Sequence, residues 1–247
     1  MKKIIASAAL CLAVLSSTGC FNFAANTTPS AIGSYNFDEM ELVQLKEPKE
    51  GSPTAIMETT KGTITFVLYP EYAPKTVSNF VNRANEGYYN GKDIYGLLEN
   101  AMFISGAYNE ERTQGVTEDG QLIPNECDVD LWPFKGALCS YSGTAGYSDS
   151  RFFVVDEYPL TEDNVTELRS MKNSDGERLL PDELIDAFVE QGCIAGMGGC
   201  YTVFGQAIDG MDVIESICNA EINEKSEPVE KLYIEKITIS EYTSEKQ

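Results

Sequence analysis

Residues 57–91, METTKGTITFVLYPEYAPKTVSNFVNRANEGYYNG, decide the fold. Apolar side chains alternate at Ile64, Phe66 and Leu68 behind a Thr60-Lys61-Gly62 turn, so Gly51 to Tyr69 reads as a half-buried β-hairpin. Ala73-Pro74 then opens a helix, with proline just inside its start. Val77, Phe80, Val81 and Ala84 recur at helical spacing as one core-facing stripe, and Gly87 stops the helix.

Outward from this stretch, short apolar runs follow at Ala101 to Ile104, Gly136 to Tyr141, Phe152 to Val155 and Tyr201 to Ala207. Gly210-Met211-Asp212 leads into a second short helix carrying Val213, Ile214, Ile217 and Cys218. The last strand, Leu232 to Ser240, changes apolar phase between Ile234 and Ile237, which predicts a bulge. Many short strands with two helices predict a mainly β fold, a barrel capped at its ends. Residues 157–195 interrupt the rhythm with a polar stretch and a predicted helix from Pro181 to Gln191, docked by Leu184, Ile185 and Phe188. They read as an elaborated loop insertion.

The chain has 247 residues, with 18 Lys and Arg against 39 Asp and Glu. A field of that sign repels phosphate backbones and argues against nucleic-acid binding. There is no histidine, which excludes Ser-His and Cys-His catalytic pairs and His-ligated metals. No metal and no cofactor is implied.

Residues 1–19 read as a processing signal. Lys2 and Lys3 precede an apolar stretch of 12 residues, Ile4 to Leu15, too short for a comfortable membrane span. It ends in SSTGC, which is similar to the lipobox of bacterial lipoproteins. That resemblance implies lipidation at Cys20 and anchoring at the outer face of the cell membrane. Residues 20–50 then have the turn-rich composition of a tether, 51–242 form the domain, and 243–247 are a tail. Of the remaining cysteines, Cys193 and Cys200 bracket a Gly-rich loop and could pair, though the sequence commits to no disulfide, while Cys139 and Cys218 read as buried thiols.

Four collinear segments, KGTITFVLYPEYAPKTVSNFVNRANEGYYNG (61–91), PFKGALCS (133–140), SRFFVV (150–155) and YTVFGQAIDGMDVIESI (201–217), resemble the cyclophilin-type peptidyl-prolyl isomerases. The likeness runs from about Ala55 to Ser240. It implies a closed eight-stranded antiparallel β-barrel capped by two helices, with the helical insertion added. It also implies a groove for proline-containing peptide segments of exported or envelope proteins. In the family an apolar pocket seats the proline ring and an arginine holds the prolyl amide as it twists. Catalysis then rests on differential binding of the transition state, against a barrier of about 20 kcal/mol.

The family's F-H-R-V falls on Ile94-Tyr95-Gly96-Leu97, so its arginine is Gly96 here. Met102 and Phe153 keep pocket positions, while Ala101 and Ile104 replace an aromatic and a glutamine. Tyr141 and Ser142 stand for the groove's alanine and asparagine, Met197 replaces an apolar wall where the family's tryptophan is lost, and Tyr141 and Tyr201 read equally as groove walls or as plugs that fill it. The family's second glutamine is Arg151. Two expectations compete for Arg151. Its guanidinium either projects into the space vacated at Gly96 as a relocated catalytic arginine, or forms a surface ion pair with Asp149 or Asp156. The resemblance accordingly leaves two functions open, an isomerase weakened by the loss at Gly96 and a catalytically inactive peptide-binding lipoprotein.

Overall fold

The hairpin forms as its alternation requires. Strand β1 (Pro53–Thr59) and strand β2 (Gly62–Leu68) pair antiparallel, with Met57 opposite Ile64 and Ala55 opposite Phe66. Helix α1 (Pro74–Asn85) follows, and it buries Val77, Phe80 and Ala84. Its first turn is capped from a distance, where the Glu126 carboxylate accepts hydrogen bonds from the Thr76 amide (2.8 Å) and hydroxyl (2.9 Å). This is a computed structural model, and it describes residues 31–98, 101–158, 160–173, 175–224 and 227–244. The signal segment expected at 1–19 and the lipidation expected at Cys20 lie outside them.

The remaining strands are β3 (Tyr95–Leu98), β4 (Met102–Ser105), β5 (Ile123–Pro124), β6 (Ala137–Tyr141), β7 (Tyr147–Ser148), β8 (Arg151–Val155), β9 (Val203–Asp209) and β10 (Ile234–Glu241). Eight of the ten strands among the described residues make one antiparallel sheet in the order β10-β1-β2-β9-β6-β8-β4-β3, while β5 and β7 pair separately. The edges meet just before β3, where the Ile94 amide donates to Leu232 and the Ile234 amide donates to Lys92, both at 2.9 Å. One bridge, Asp93 to Tyr233, completes the seam. Closure of the barrel is therefore approximate. The β1–β10 register shifts at Glu235, the bulge that the apolar phase predicts.

Because side chains alternate across a strand, the sheet has two distinct apolar faces. Phe66, Phe103, Leu138, Phe152, Val154 and Phe204 point inward and meet α1 and helix α4 (Met211–Cys218) in the barrel core. Met102, Ile104, Cys139, Phe153 and Val203 form a second cluster on the other face, with Tyr95, Met197 and Tyr201. A third cluster gathers Trp132, Phe134, Leu168, Leu184, Ile185, Phe188 and Cys193 beneath the insertion.

The insertion holds two helices where the sequence shows one. Helix α3 (Asp182–Gln191) is the predicted one, and Gly192 ends it at φ 74°. Helix α2 (Glu162–Ser170) occupies the stretch read as polar. Thr161 and Asn164 cap it reciprocally, and it buries only Leu168. Cys193 is a free, buried thiol in the third cluster, whereas Cys200 belongs to the second, so the pairing considered for them is not made. Cys139 and Cys218 are buried thiols, as read.

The described part of the expected tether lies down on the body. Tyr35, Phe37, Met40 and Leu42 pack against the Trp132 cluster, and Val43 against the Phe153 cluster. Gln44 is buried between them. Its amide donates to the Gln206 side chain (2.8 Å) and its carbonyl accepts from the Trp132 backbone (2.6 Å). Turn-rich composition signals irregular backbone, and aromatic anchors decide whether that backbone docks.

Candidate functional site

Strands β4, β8 and β6 lie side by side and set the site's geometry. Phe153 is flanked by Ile104 on one strand and Cys139 on the other, and Arg151 stands opposite Tyr141. Met102 and Phe153 therefore share the outer face. Both are fully buried in its cluster, apart from the barrel core. Tyr201 meets Phe153 edge to face, with ring centroids 5.3 Å apart, and Met197 joins the same cluster. Of the expected site residues, Met102, Phe153, Tyr141, Met197 and Tyr201 thus come together. Ser142 does not join them. Its hydroxyl lies 2.9 Å from the Thr144 carbonyl and 2.7 Å from that of Tyr147, and it closes its own turn.

Arg151 projects from the same face of β8 as Phe153, two residues along. Its partner is Asp149, one of the two acids expected, but the pair is buried and not at the surface: the two side chains are 4% and 3% exposed. Nε lies 3.0 Å from Oδ1 and Nη2 lies 2.6 Å from Oδ2, and the Arg151 backbone amide also donates to Oδ1 at 2.8 Å. The guanidinium carbon sits 4.9 Å from the Tyr141 ring centroid. Burial pulls the Arg151 guanidinium down, and the Asp149 hydrogen bonds and charge more than offset it, so the group titrates above its ordinary range. Asp156, the other candidate partner, faces Lys135 at 3.6 Å.

Gly96, where the sequence lacks an arginine, has φ 58°, a left-handed backbone that favours glycine. The β3–β4 register slips around it, from Tyr95 opposite Ile104 to Leu98 opposite Met102. Tyr95 thereby joins the outer cluster beside Met102 and Phe153, a position sequence reasoning did not assign. Its hydroxyl is buried without a hydrogen-bond partner among the described residues. Burial pushes this phenol well up, and the Arg151 charge opposes that shift, which places the two groups within electrostatic reach. Arg112, also missed, lays its guanidinium 5.0 Å from the Tyr95 ring centroid and pairs with Glu227 at 2.7 Å. Only its unusual backbone, φ 59°, marks it, and no sequence pattern announces that.

The arrangement offers an apolar floor with a charged planar donor at its margin. Such an arrangement is suited to holding a ligand by packing and a charge-assisted hydrogen bond, without proton transfer. Residues 54–239 match the family model for cyclophilin type peptidyl-prolyl cis-trans isomerase/CLD. Proteins from Staphylococcus aureus (strain USA300) and Staphylococcus epidermidis, each named "Putative peptidyl-prolyl cis-trans isomerase", are 31% and 30% identical over 196 residues, which cover 79% of this chain and 96% of each relative. A Cryptosporidium parvum cyclophilin type peptidyl-prolyl cis-trans isomerase superposes with a TM-score of 0.60 at 17% identity, over 78% of this chain and 99% of that one. A second structure of it, in the presence of the dipeptide Ala-Pro, gives 0.58 at 18% identity over 76% and 98%. At these identities the structures speak for the fold.

Proposed function

Because this chain belongs to the cyclophilin-type peptidyl-prolyl cis-trans isomerase family, we propose that it catalyses prolyl cis-trans isomerisation in exported proteins at the cell envelope, with Arg151 in the role of the arginine absent at Gly96. The observation that carries this reading is the shared face of Arg151, Phe153 and Met102, with Tyr95 beside them. A proline ring would rest on Phe153 and Met102 while the guanidinium donates to the prolyl amide nitrogen as the C–N bond twists and loses its double-bond character. No proton is transferred, which suits a chain without histidine. Signal removal and lipidation at Cys20 would hold the enzyme at the outer face of the membrane.

A second reading has its own support. Arg151 is only 4% exposed, Gly96 and Ile104 lack the family's polar side chains, and Ala101 lacks its aromatic ring. On that reading the chain is a catalytically inactive lipoprotein that binds proline-containing segments. Cis-trans exchange of an Ala-Pro peptide, followed by NMR with the full chain and with Arg151→Ala, separates the two. Catalysis lost with Arg151 supports the enzyme, and native protein that broadens peptide signals through binding alone supports the module.

A further inference from the structure

We propose that Asp149 is a positioning residue for the isomerase reaction, holding the Arg151 guanidinium in one orientation toward the substrate face. This rests on the reading of Arg151 as the donor to the prolyl amide. The carboxylate engages one edge of the guanidinium through two donors, at 3.0 Å for Nε and 2.6 Å for Nη2. Among the described residues Nη1 keeps only a long contact to the Arg112 carbonyl, 3.5 Å. Nη1 is thus the nitrogen left for a ligand. A donor on a flexible stem gains most from being fixed beforehand, because reorganisation at the transition state is then avoided.

The surroundings are shaped for the carboxylate. Gly115 lies against it so closely that a Cβ there would collide with Asp149 Oδ1 and Cγ. On the other side Gly143 faces the guanidinium, where a Cβ would meet Nη2 at an ordinary 3.7 Å. Space at Gly115 is reserved for Asp149. A buried ion pair contributes little net stability compared with apolar packing, so the conformational lock is the better account of why two charges are held here.

The test measures Ala-Pro exchange with the full chain at limiting and saturating peptide, alongside thermal melts. Variants are Arg151→Ala, Asp149→Asn, Asp149→Glu and Gly115→Ala, the last two also combined with Arg151→Ala. Gly115→Ala keeps both charges and shifts the carboxylate, so it decides the matter if Asp149→Asn does not fold. The expected result is a loss of about tenfold or more in turnover for Asp149→Asn and Gly115→Ala. Peptide affinity should change little, Asp149→Glu should recover part of the turnover, and nothing further should be lost on the Arg151→Ala background. Native turnover in folded Gly115→Ala and Asp149→Asn, with Arg151→Ala impaired, overturns the positioning role and leaves Arg151 in place. Native turnover in Arg151→Ala overturns both.

Discussion

Arg151 and Asp149 clasp each other across Ser150, the carboxylate receiving Nε, Nη2 and the Arg151 backbone amide together. A side chain held through two nitrogens, by a carboxylate that its own backbone amide also anchors, does not sample rotamers as a surface arginine does. Its neighbours on β8 explain why it matters: Phe152 faces the barrel core, and Phe153 floors the outer cluster.

Restoring arginine at Gly96 should not restore a typical site. The backbone there is left-handed, φ 58°, and an L side chain pays about 1–2 kcal/mol to adopt it. Gly96→Arg is expected to lower the denaturation midpoint and to leave exchange rates at or below native. A more active and equally stable variant would show that β3 relaxes to an extended form.

Phe153→Ala should remove the floor against which Tyr201 packs edge to face at 5.3 Å. The expected cost is about 3–5 kcal/mol in urea unfolding. Proline-peptide affinity should fall with it, while the alanine analogue of the peptide binds the native protein no better than the variant. Unchanged proline-peptide affinity would place the pocket elsewhere.

Gln44→Ala tests the docked N-terminal segment. The substitution strips a partner from both the Gln206 side chain and the buried Trp132 amide, which costs about 1–3 kcal/mol. Trp132 is the chain's single tryptophan and packs between Tyr35, Phe37 and Phe188. Its emission should shift to the red as the segment loosens. Unaltered emission and stability would mean that the segment docks without Gln44.

Acid should loosen the Asp182 ion pairs of the insertion only as pH falls well below the ordinary carboxylate range. Hydrogen bonds from Arg178, with the nearby Arg169, hold the Asp182 carboxyl down to about 2, against an ordinary value of 3.8. A lowered carboxyl contributes above its unfolded value and loses that contribution as pH falls through the folded one. Carboxyl carbon shifts should therefore show Asp182 titrating near pH 2. The midpoint should rise in about 1 M salt, because the pair is exposed and screened. A midpoint at 3.8 in low salt would contradict the pairing.

What was legible in the sequence was local. The hairpin at Gly62, the α1 stripe at Val77, Phe80 and Ala84, and the bulge at Glu235 all follow from spacing within a few residues. Helix α2 was not legible, because it buries only Leu168 and its cap partner is Asn164 in place of the usual Glu or Gln. Nor was the docking of Gln44, whose partners lie 88 and 162 residues away. At the site, the family resemblance assigned Met102 and Phe153 to one pocket, and Asp149 was one of two acids named as examples of a surface partner for Arg151. The depth of the ion pair, and the arrival of Tyr95 next to a left-handed Gly96, are displayed only by the folded chain.

The most direct measurement is the rate of Ala-Pro cis-trans exchange catalysed by the native chain and by Arg151→Ala, with folding of both verified. The account predicts measurable catalysis by the native chain and a loss of about 100-fold or more on removing the guanidinium. Equal rates for the two proteins, or peptide binding with no exchange in either, would contradict it.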